Sequence, residues 1–471
     1  MAEFWQLVQF LRDPVLETIG ITAGALFIAI VLGAPLGIVI AAGGPLGRLV
    51  STAALMVRAI PDLVLAIVFV AAIGFGPAAG AIALGLQNSA VAAKLFAELL
   101  LAVPREPAEA LRASGATRVT AFLVGLLPTA YPGIVGFAAY LVDCVIRNSV
   151  IVGVVGAGGL GAAIMQALNL ADFRAFGLYF AAIALFVVGF DVFAEWLRTR
   201  APAWVAGVTL LATGVIAVAA FASLSSTPLA RFAQAPARIG QFALKAAPPQ
   251  FDPTIVHGAL VGAEETLIVA VIGTLGGAFL AIPVAWLVAR PIASGWMRGS
   301  GWRPWSLAFE VPGRLLLGAL RSIPYVAMGL LAILLVGLGP RAGAVALVVI
   351  TAAVLGRLLA ESLELASAAP AEALVATGAT ATAAALFGMV PNAVPVFATH
   401  VLYRWEYNIR ASTILGMVGA GGLGQQIFNA QELLFYHQLL AYVIVAVVLV
   451  LLCDALGELL RRRLVVEVVK R

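Results

Sequence analysis

The apolar residues of this chain fall into long unbroken runs parted by short polar stretches. Eleven runs can be read: 16–42, 54–73, 78–103, 129–146, 175–197, 203–224, 262–289, 315–336, 343–367, 392–409 and 439–460. Crossing a hydrocarbon core takes about 20 helical residues, and these runs have that length. They are continuous and do not alternate, which predicts helices and not lipid-facing strands. The expected fold is an all-α integral membrane protein with about 11 transmembrane helices.

The polar interruptions come twice. PAEALRASGAT (107–117), an acid–arginine pair and GVVGAGGLG (153–161) return as PAEALVATGAT (370–380), a second pair and GMVGAGGLG (416–424). Matched landmarks lie 263 residues apart: 372 − 109 for a Glu, 391 − 128 for a Pro, 410 − 147 for an Arg. Arg58-Ala-Ile-Pro61 recurs as Arg321-Ser-Ile-Pro324, and Gly74-Phe-Gly-Pro77 as Gly337-Leu-Gly-Pro340. Glu17-Thr18 matches Glu265-Thr266 at only 248 (265 − 17), so the second copy carries 15 extra residues (263 − 248). The loop around 290–314 accounts for them. The chain therefore reads as two five-helix units, 1–200 and 261–471, with a linking helix and an outside loop over 201–260.

Composition and charge orient this bundle. Hydrophobic residues make up 63% and charged residues 11%, roughly half the charged fraction of a soluble protein. The net charge of +5 does not mark a nucleic-acid face, because Lys and Arg gather at the ends of apolar runs. Six runs separate the two PAEAL stretches, so both lie on one side. Arg48, Arg58, Arg198, Arg200, the arginines of 290–314 and Arg461 to Arg463 share that side. The positive-inside rule makes it cytoplasmic, with the C-terminus. The N-terminus, the GxGP turns and the Pro/Ala/Gln-rich 225–253 then face outward. Cys144 and Cys453 lie in apolar runs and His257, His400 and His437 are scattered, so no metal cluster is expected. The first run exceeds the apolar core of a signal peptide and is kept as a mature helix.

Each PAEALxAxGAT stretch predicts a short helix with an exposed Glu109 or Glu372, ended by Gly115 or Gly378 as a C-cap. An isolated copy would read as an amphipathic connector; two copies on one face favour docking to a two-fold partner. Gly156, Gly158, Gly159 and Gly161, like Gly419, Gly421, Gly422 and Gly424, satisfy GxGxxG. Their membrane context lacks the strand that a nucleotide-binding turn needs. They predict a helix break with close backbone approach beside the pore.

Asp143 with Arg147, and Glu406 with Arg410, stand i,i+4 on one helix face toward the outer end of a span. Two readings stand. The pairs neutralise themselves and anchor the helix end, or the arginines face each other across a pseudo-two-fold axis and meet an anion. In the second reading Asn148, Ser149, Ser412 and Thr413 are hydrogen-bonding neighbours in the substrate path. Lys94/Glu98 and Arg357/Glu361 form a further repeated i,i+4 set, either a structural bridge or part of the path.

Glu109-Ala110 to Gly115 and Glu372-Ala373 to Gly378 resemble the EAA loop of ABC importer permeases. YRWEYNIRASTILGMVGAGGLG (403–424), with RSIP at 321–324 and LGRLLAE at 355–361, resembles the phosphonate-type ABC transporter permease family. The first copy matches more loosely, with Leu141-Val-Asp-Cys-Val145 where the second has RWEYN. The resemblance implies two parallel type I importer units, with EAA loops at 104–127 and 368–390, fused in one chain by an extra helix. It implies that the loops couple to two copies of a cytosolic ABC ATPase, and that a periplasmic or lipid-anchored binding protein delivers a small phosphorus oxyanion. Phosphonate is the first expectation, phosphite or phosphate the alternatives. The chain has no Walker motif, so ATP and Mg are expected on the partner subunits and no cofactor on this chain. The rival classes are an ABC permease for another solute, an ion-coupled transporter or channel, and a membrane enzyme. No recurring nucleophile–base set supports the last.

Overall fold

The computed structural model describes residues 2–200, 215, 229–289 and 304–469. The span expected at 203–224, apart from Val215, and the loop insert up to residue 303 lie outside the described residues. The chain divides into two units, Met1–Leu244 and Lys245–Arg471.

In the first unit the helices are α1 (Ala2–Ala42), α2 (Gly44–Ala59), α3 (Asp62–Ile73), α4 (Pro77–Ala102), α5 (Glu106–Ala113), α6 (Leu127–Val152), α7 (Gly159–Asn169), α8 (Phe173–Arg200) and α9 (Leu229–Ala246). The second unit has α10 (Pro253–Val288), α11 (Pro304–Ser322), α12 (Tyr325–Val336), α13 (Pro340–Leu365), α14 (Ala369–Ala376), α15 (Val390–Leu415), α16 (Gly422–Glu432) and α17 (Tyr436–Val469). Among the described residues five helices are long and apolar enough to cross a membrane, or up to nine if each bent pair counts as one span.

The runs read as single spans at 54–73 and 315–336 are broken. α2 and α3 meet at 88°, and α11 and α12 at 94°. Proline is the cause: the residue before it is driven from the helical region. Ile60 accordingly takes ψ 126° ahead of Pro61, and Pro324 opens α12 at ψ 146°. RAIP and RSIP are thus hinges between a lead-in helix and a half-span of 12 residues, about 18 Å long. Arg58 and Arg321 stand at those bends and not at the end of a straight span.

Each unit is built on a pair of helices joined through small residues, since close backbone approach is the main source of helix attraction in lipid. A Cβ on Gly33 would lie 2.5 Å from Ala92 Cβ, and one on Gly37 2.8 Å from Ala93 O, which locks α1 to α4. Gly273 and Gly277 do the same for α10 and α13, at 2.5 Å from Leu347 Cβ and Thr351 Cβ. The polar stretch expected outside the membrane contains α9, an amphipathic helix. Its Ala235 and Ile239 pack on Ala72 and Ile73 at the end of α3, and Arg238 donates to Ala72 O at 3.5 Å.

Candidate functional site

The PAEALxAxGAT sequence specifies a helix, its stop and the next start. α5 ends in a Schellman turn: Gly115 N donates to Arg112 O at 3.0 Å and Ala116 N to Leu111 O at 3.0 Å, with Gly115 at φ +93°. Thr117 then caps the following turn by accepting from Thr120 N at 3.2 Å. The second copy repeats every step, with Gly378 at φ +91°, Ala379 N to Leu374 O at 3.0 Å and Thr380 accepting from Ala383 N at 3.3 Å. A wide π turn follows, Ala121–Leu126 or Ala385–Met389. Its Gly125 or Gly388 lets the short helix sit directly on it: an added Cβ would lie 2.8 Å from Ala108 Cα or 2.6 Å from Ala371 N. Glu109, Ala110, Glu372 and Ala373 are left exposed.

The GAGGLG stretches are broken helices. α6 runs into a π turn and bends 57° to α7. Gly156, Gly158 and Gly159 have φ of +99°, +82° and +72°; Gly419, Gly421 and Gly422 have +106°, +77° and +75°. The last glycine of each motif serves contact instead: a Cβ on Gly161 or Gly424 would lie 1.9 or 1.8 Å from the carbonyl oxygen of Val150 or Thr413. The helix that resumes after the break is capped from afar. Glu17 Oε2 accepts from Gly159 N at 2.6 Å and Thr18 Oγ1 from Leu160 N at 2.9 Å. In the second unit Glu265 and Thr266 do this for Gly422 and Leu423, at 2.7 and 3.0 Å. The GxGP turn joins the same node, Gly76 N to Gly156 O at 3.0 Å and Gly339 N to Gly419 O at 2.9 Å.

Helix α15 carries YRWEYNIR, and its residues divide by helical face. Tyr403, Glu406 and Arg410 (i, i+3, i+7) turn to α17. Glu406 is bound by Arg461, which also lies 4.2 Å over the Tyr403 ring, and Arg410 Nη2 stands 3.8 Å from Asp454. Gly457 makes room, since a Cβ there would meet Glu406 Oε1 at 1.9 Å. Arg404, Tyr407 and Asn408 turn the other way. Asn408 is fully buried and donates to Thr274 Oγ1 at 2.9 Å and Thr351 Oγ1 at 3.0 Å, tying α15 to α10 and α13. Arg404 donates to the Tyr325 hydroxyl at the start of α12.

The i,i+4 pairing expected of Glu406 and Arg410 is therefore replaced by two bridges to α17, whose groups face α15 more directly than two neighbours on one helix. Along α15 itself Glu406 and Arg410 stand nine and five residues before the last residue, Leu415 (415 − 406, 415 − 410). Asn408 is level with Thr274, which lies 14 residues from the end of α10 (288 − 274). Ser149, Ser412 and Thr413 are buried and donate to Ile146 O, Thr266 O and Ile409 O, at 2.7, 3.2 and 3.2 Å. Asn148 donates to Asp62 Oδ2 at 2.7 Å, and Arg147 is half-buried on α6. The other i,i+4 pairs form, Lys94–Glu98 at 3.8 Å and Arg357–Glu361 at 2.8 Å.

Sequence reasoning missed Asp454 and Arg461, although the repeat signals them: Asp191 and Arg198 stand 263 residues earlier (454 − 191, 461 − 198). It used Glu17 and Glu265 only as landmarks, because a cap reached over 142 or 157 residues has no local signature.

Two copies of a helical bundle, each with a capped break, a Pro-hinged half-span and an exposed short helix, define a multi-pass membrane transport subunit. The chain belongs to the binding-protein-dependent transport system inner membrane component family, which it matches at residues 33–202 and 310–466, once in each unit. It is similar to the phosphate-import permease protein PhnE of Mycolicibacterium smegmatis, 31% identical over 422 residues, which are 87% of this chain and 76% of that protein. It is also similar to the phosphite transport system permease protein PtxC of Stutzerimonas stutzeri, 37% identical over 198 residues, 42% of this chain and 68% of that one. A solved inward-facing MetNI methionine ABC transporter chain aligns at 26% identity and a TM-score of 0.38, covering 42% of this chain and 97% of that chain.

Proposed function

We propose that this chain supplies both membrane halves of an ATP-driven importer whose cargo is a small phosphorus oxyanion: a phosphonate, or alternatively phosphite or phosphate. What carries the reading is the duplicated exposed helix, α5 and α14, seated on Gly125 and Gly388 in a chain whose relatives are named as phosphate and phosphite permeases. Two copies of a cytosolic ABC ATPase, holding ATP and Mg, press on these helices at Glu109-Ala110 and Glu372-Ala373. Gly115 and Gly378 end each helix sharply, so a push on it is passed to α6 or α15 through the adjoining π turn.

ATP-driven closure of the ATPases rocks the two units and opens the path outward, where a periplasmic or lipid-anchored binding protein releases the anion. Hydrolysis on the partners resets the inward-facing state. This chain's own part is transport, with its N-terminus outside and its C-terminus in the cytoplasm. Arg147 and Asn148 border the path from α6, whereas Glu406 and Arg410, the other candidates for it, are engaged by Arg461 and Asp454 of α17. The hydroxyls of Ser149 and Thr413 donate to carbonyls of their own helices, and Ser412 ties α15 to Thr266 O of α10. α5 carries Arg112, with Arg118 just beyond it, and α14 has neither cation, so the two ATPase contacts are unequal.

The test is titration of the binding protein encoded beside this chain with a phosphonate, phosphite, phosphate and amino acids. Binding of a phosphorus oxyanion is expected; binding of an amino acid alone would refute the substrate.

A further inference from the structure

Arg404 is a cation whose partners are all neutral. It donates to the Tyr325 hydroxyl, and its guanidinium carbon lies 5.4 Å from the Tyr325 ring and 5.0 Å from the Tyr407 ring. The two rings are 5.3 Å apart. Its Nε is buried without a hydrogen-bond partner. Arg314, Arg357, Arg410 and Arg461 each meet a carboxylate; among the described residues none reaches Arg404.

A guanidinium inside a span is costly against hydrocarbon and needs a partner or a wet cavity. Arg404 is deep in the span: it stands one helical turn from Asn408, which is level with Thr274 in the interior of α10. Tyr325 begins a half-span of 12 residues. Tyr407 keeps a 39% accessible edge, and a role for Arg404 in transport sets that edge toward the path.

The internal repeat separates scaffold from specificity. Tyr403, Glu406, Arg410, Asp454 and Arg461 have the counterparts Tyr140, Asp143, Arg147, Asp191 and Arg198, so the bundle keeps this set twice. Arg404, Tyr407 and Tyr325 correspond to Leu141, Cys144 and Asp62. A charge that only one unit carries, uncompensated within that unit, is not needed to build the bundle.

We propose that Arg404, held by the Tyr325 hydroxyl and against the rings of Tyr325 and Tyr407, is the contact through which the second unit holds the oxyanion partway across the membrane. The planar guanidinium fork matches two oxygens of a tetrahedral anion, and a phenol O–H can donate to a third. The aromatic faces keep the arginine in place without neutralising it, so the cargo supplies the missing charge. The first unit places a carboxylate, Asp62, where the second has Tyr325, so the two units are unequal toward an anion.

This inference rests on the phosphorus-oxyanion reading, and the experiment keeps the two apart. The full importer, with its ATPases and binding protein in vesicles, is supplied with phosphate, phosphite or methylphosphonate, and anions moved per ATP hydrolysed are counted. Arg404→Gln is expected to lower that ratio about tenfold, as loss of a charge-assisted contact would, while binding-protein-stimulated hydrolysis persists. Arg404→Lys should recover part of the loss. Tyr407→Phe, which keeps the ring, should lower the ratio severalfold and covers the case of an Arg404 variant that fails to assemble. An unchanged ratio in Arg404→Gln or Tyr407→Phe, or a fall in uptake matched by an equal fall in stimulated hydrolysis, would overturn the proposal. Wild-type importer that moves none of the three anions would instead overturn the substrate reading.

Discussion

Glu265 caps a helix 157 residues away from it: its Oε2 accepts from Gly422 N at 2.7 Å, just after the chain has broken at Gly419 and Gly421. In the first unit Glu17 holds Gly159 N at 2.6 Å across 142 residues. A helix restarted at membrane depth exposes donors that lipid cannot satisfy, and a carboxylate there also complements the helix dipole. Glu265→Ala should destabilise the protein by about 1 kcal/mol, the usual cost of a lost N-cap. Glu265→Gln, which keeps an acceptor, should cost less. Thermal unfolding in detergent measures both; equal loss in the two variants would deny the capping role.

The glycine of the break and the glycine that ends α14 have separate duties, which predicts unequal substitution effects. Gly424→Ala sets a Cβ 1.8 Å from Thr413 O, a backbone atom. Gly378→Ala meets nothing within 4 Å and bears only the strain of φ +91°, about 1–2 kcal/mol. Folded yield should collapse in the first and survive in the second.

Much of this architecture was legible in the chain because its signals are local or repeated. The Gly-Ala-Thr after each PAEAL helix reads directly as a C-cap followed by an N-cap, and Gly115 and Gly378 take that conformation. The apolar runs located the spans but not the bends at Pro61 and Pro324, since hydropathy is blind to direction. The partners of Glu406 and Arg410 were not legible. A neighbour at i+4 is visible in sequence, whereas Arg461 and Asp454 come from another helix and win because their side chains face α15.

The bridge between Glu406 and Arg461 joins α15 to α17 in a buried setting. Removing one partner leaves a charge uncompensated, so Glu406→Ala should cost about 3–5 kcal/mol. Replacing both by apolar residues should recover most of that loss. A double-mutant cycle on unfolding gives the coupling; additive losses would show that the two charges act independently.

If α5 and α14 meet the ATPases as proposed, they should fail differently from the bundle. Glu109→Lys and Glu372→Lys change exposed residues, so each should leave the unfolding temperature unchanged and lower hydrolysis by the assembled ATPases. Measured side by side, the two should differ in size, because Arg112 and Arg118 accompany only the first helix.

The most direct test is transport by this chain in vesicles, with and without its ATPase and binding-protein partners. The account predicts uptake of a phosphorus oxyanion only when ATP and both partners are present, with one copy of this chain per pair of ATPases. Uptake that persists without ATP and without the partner subunits would contradict it.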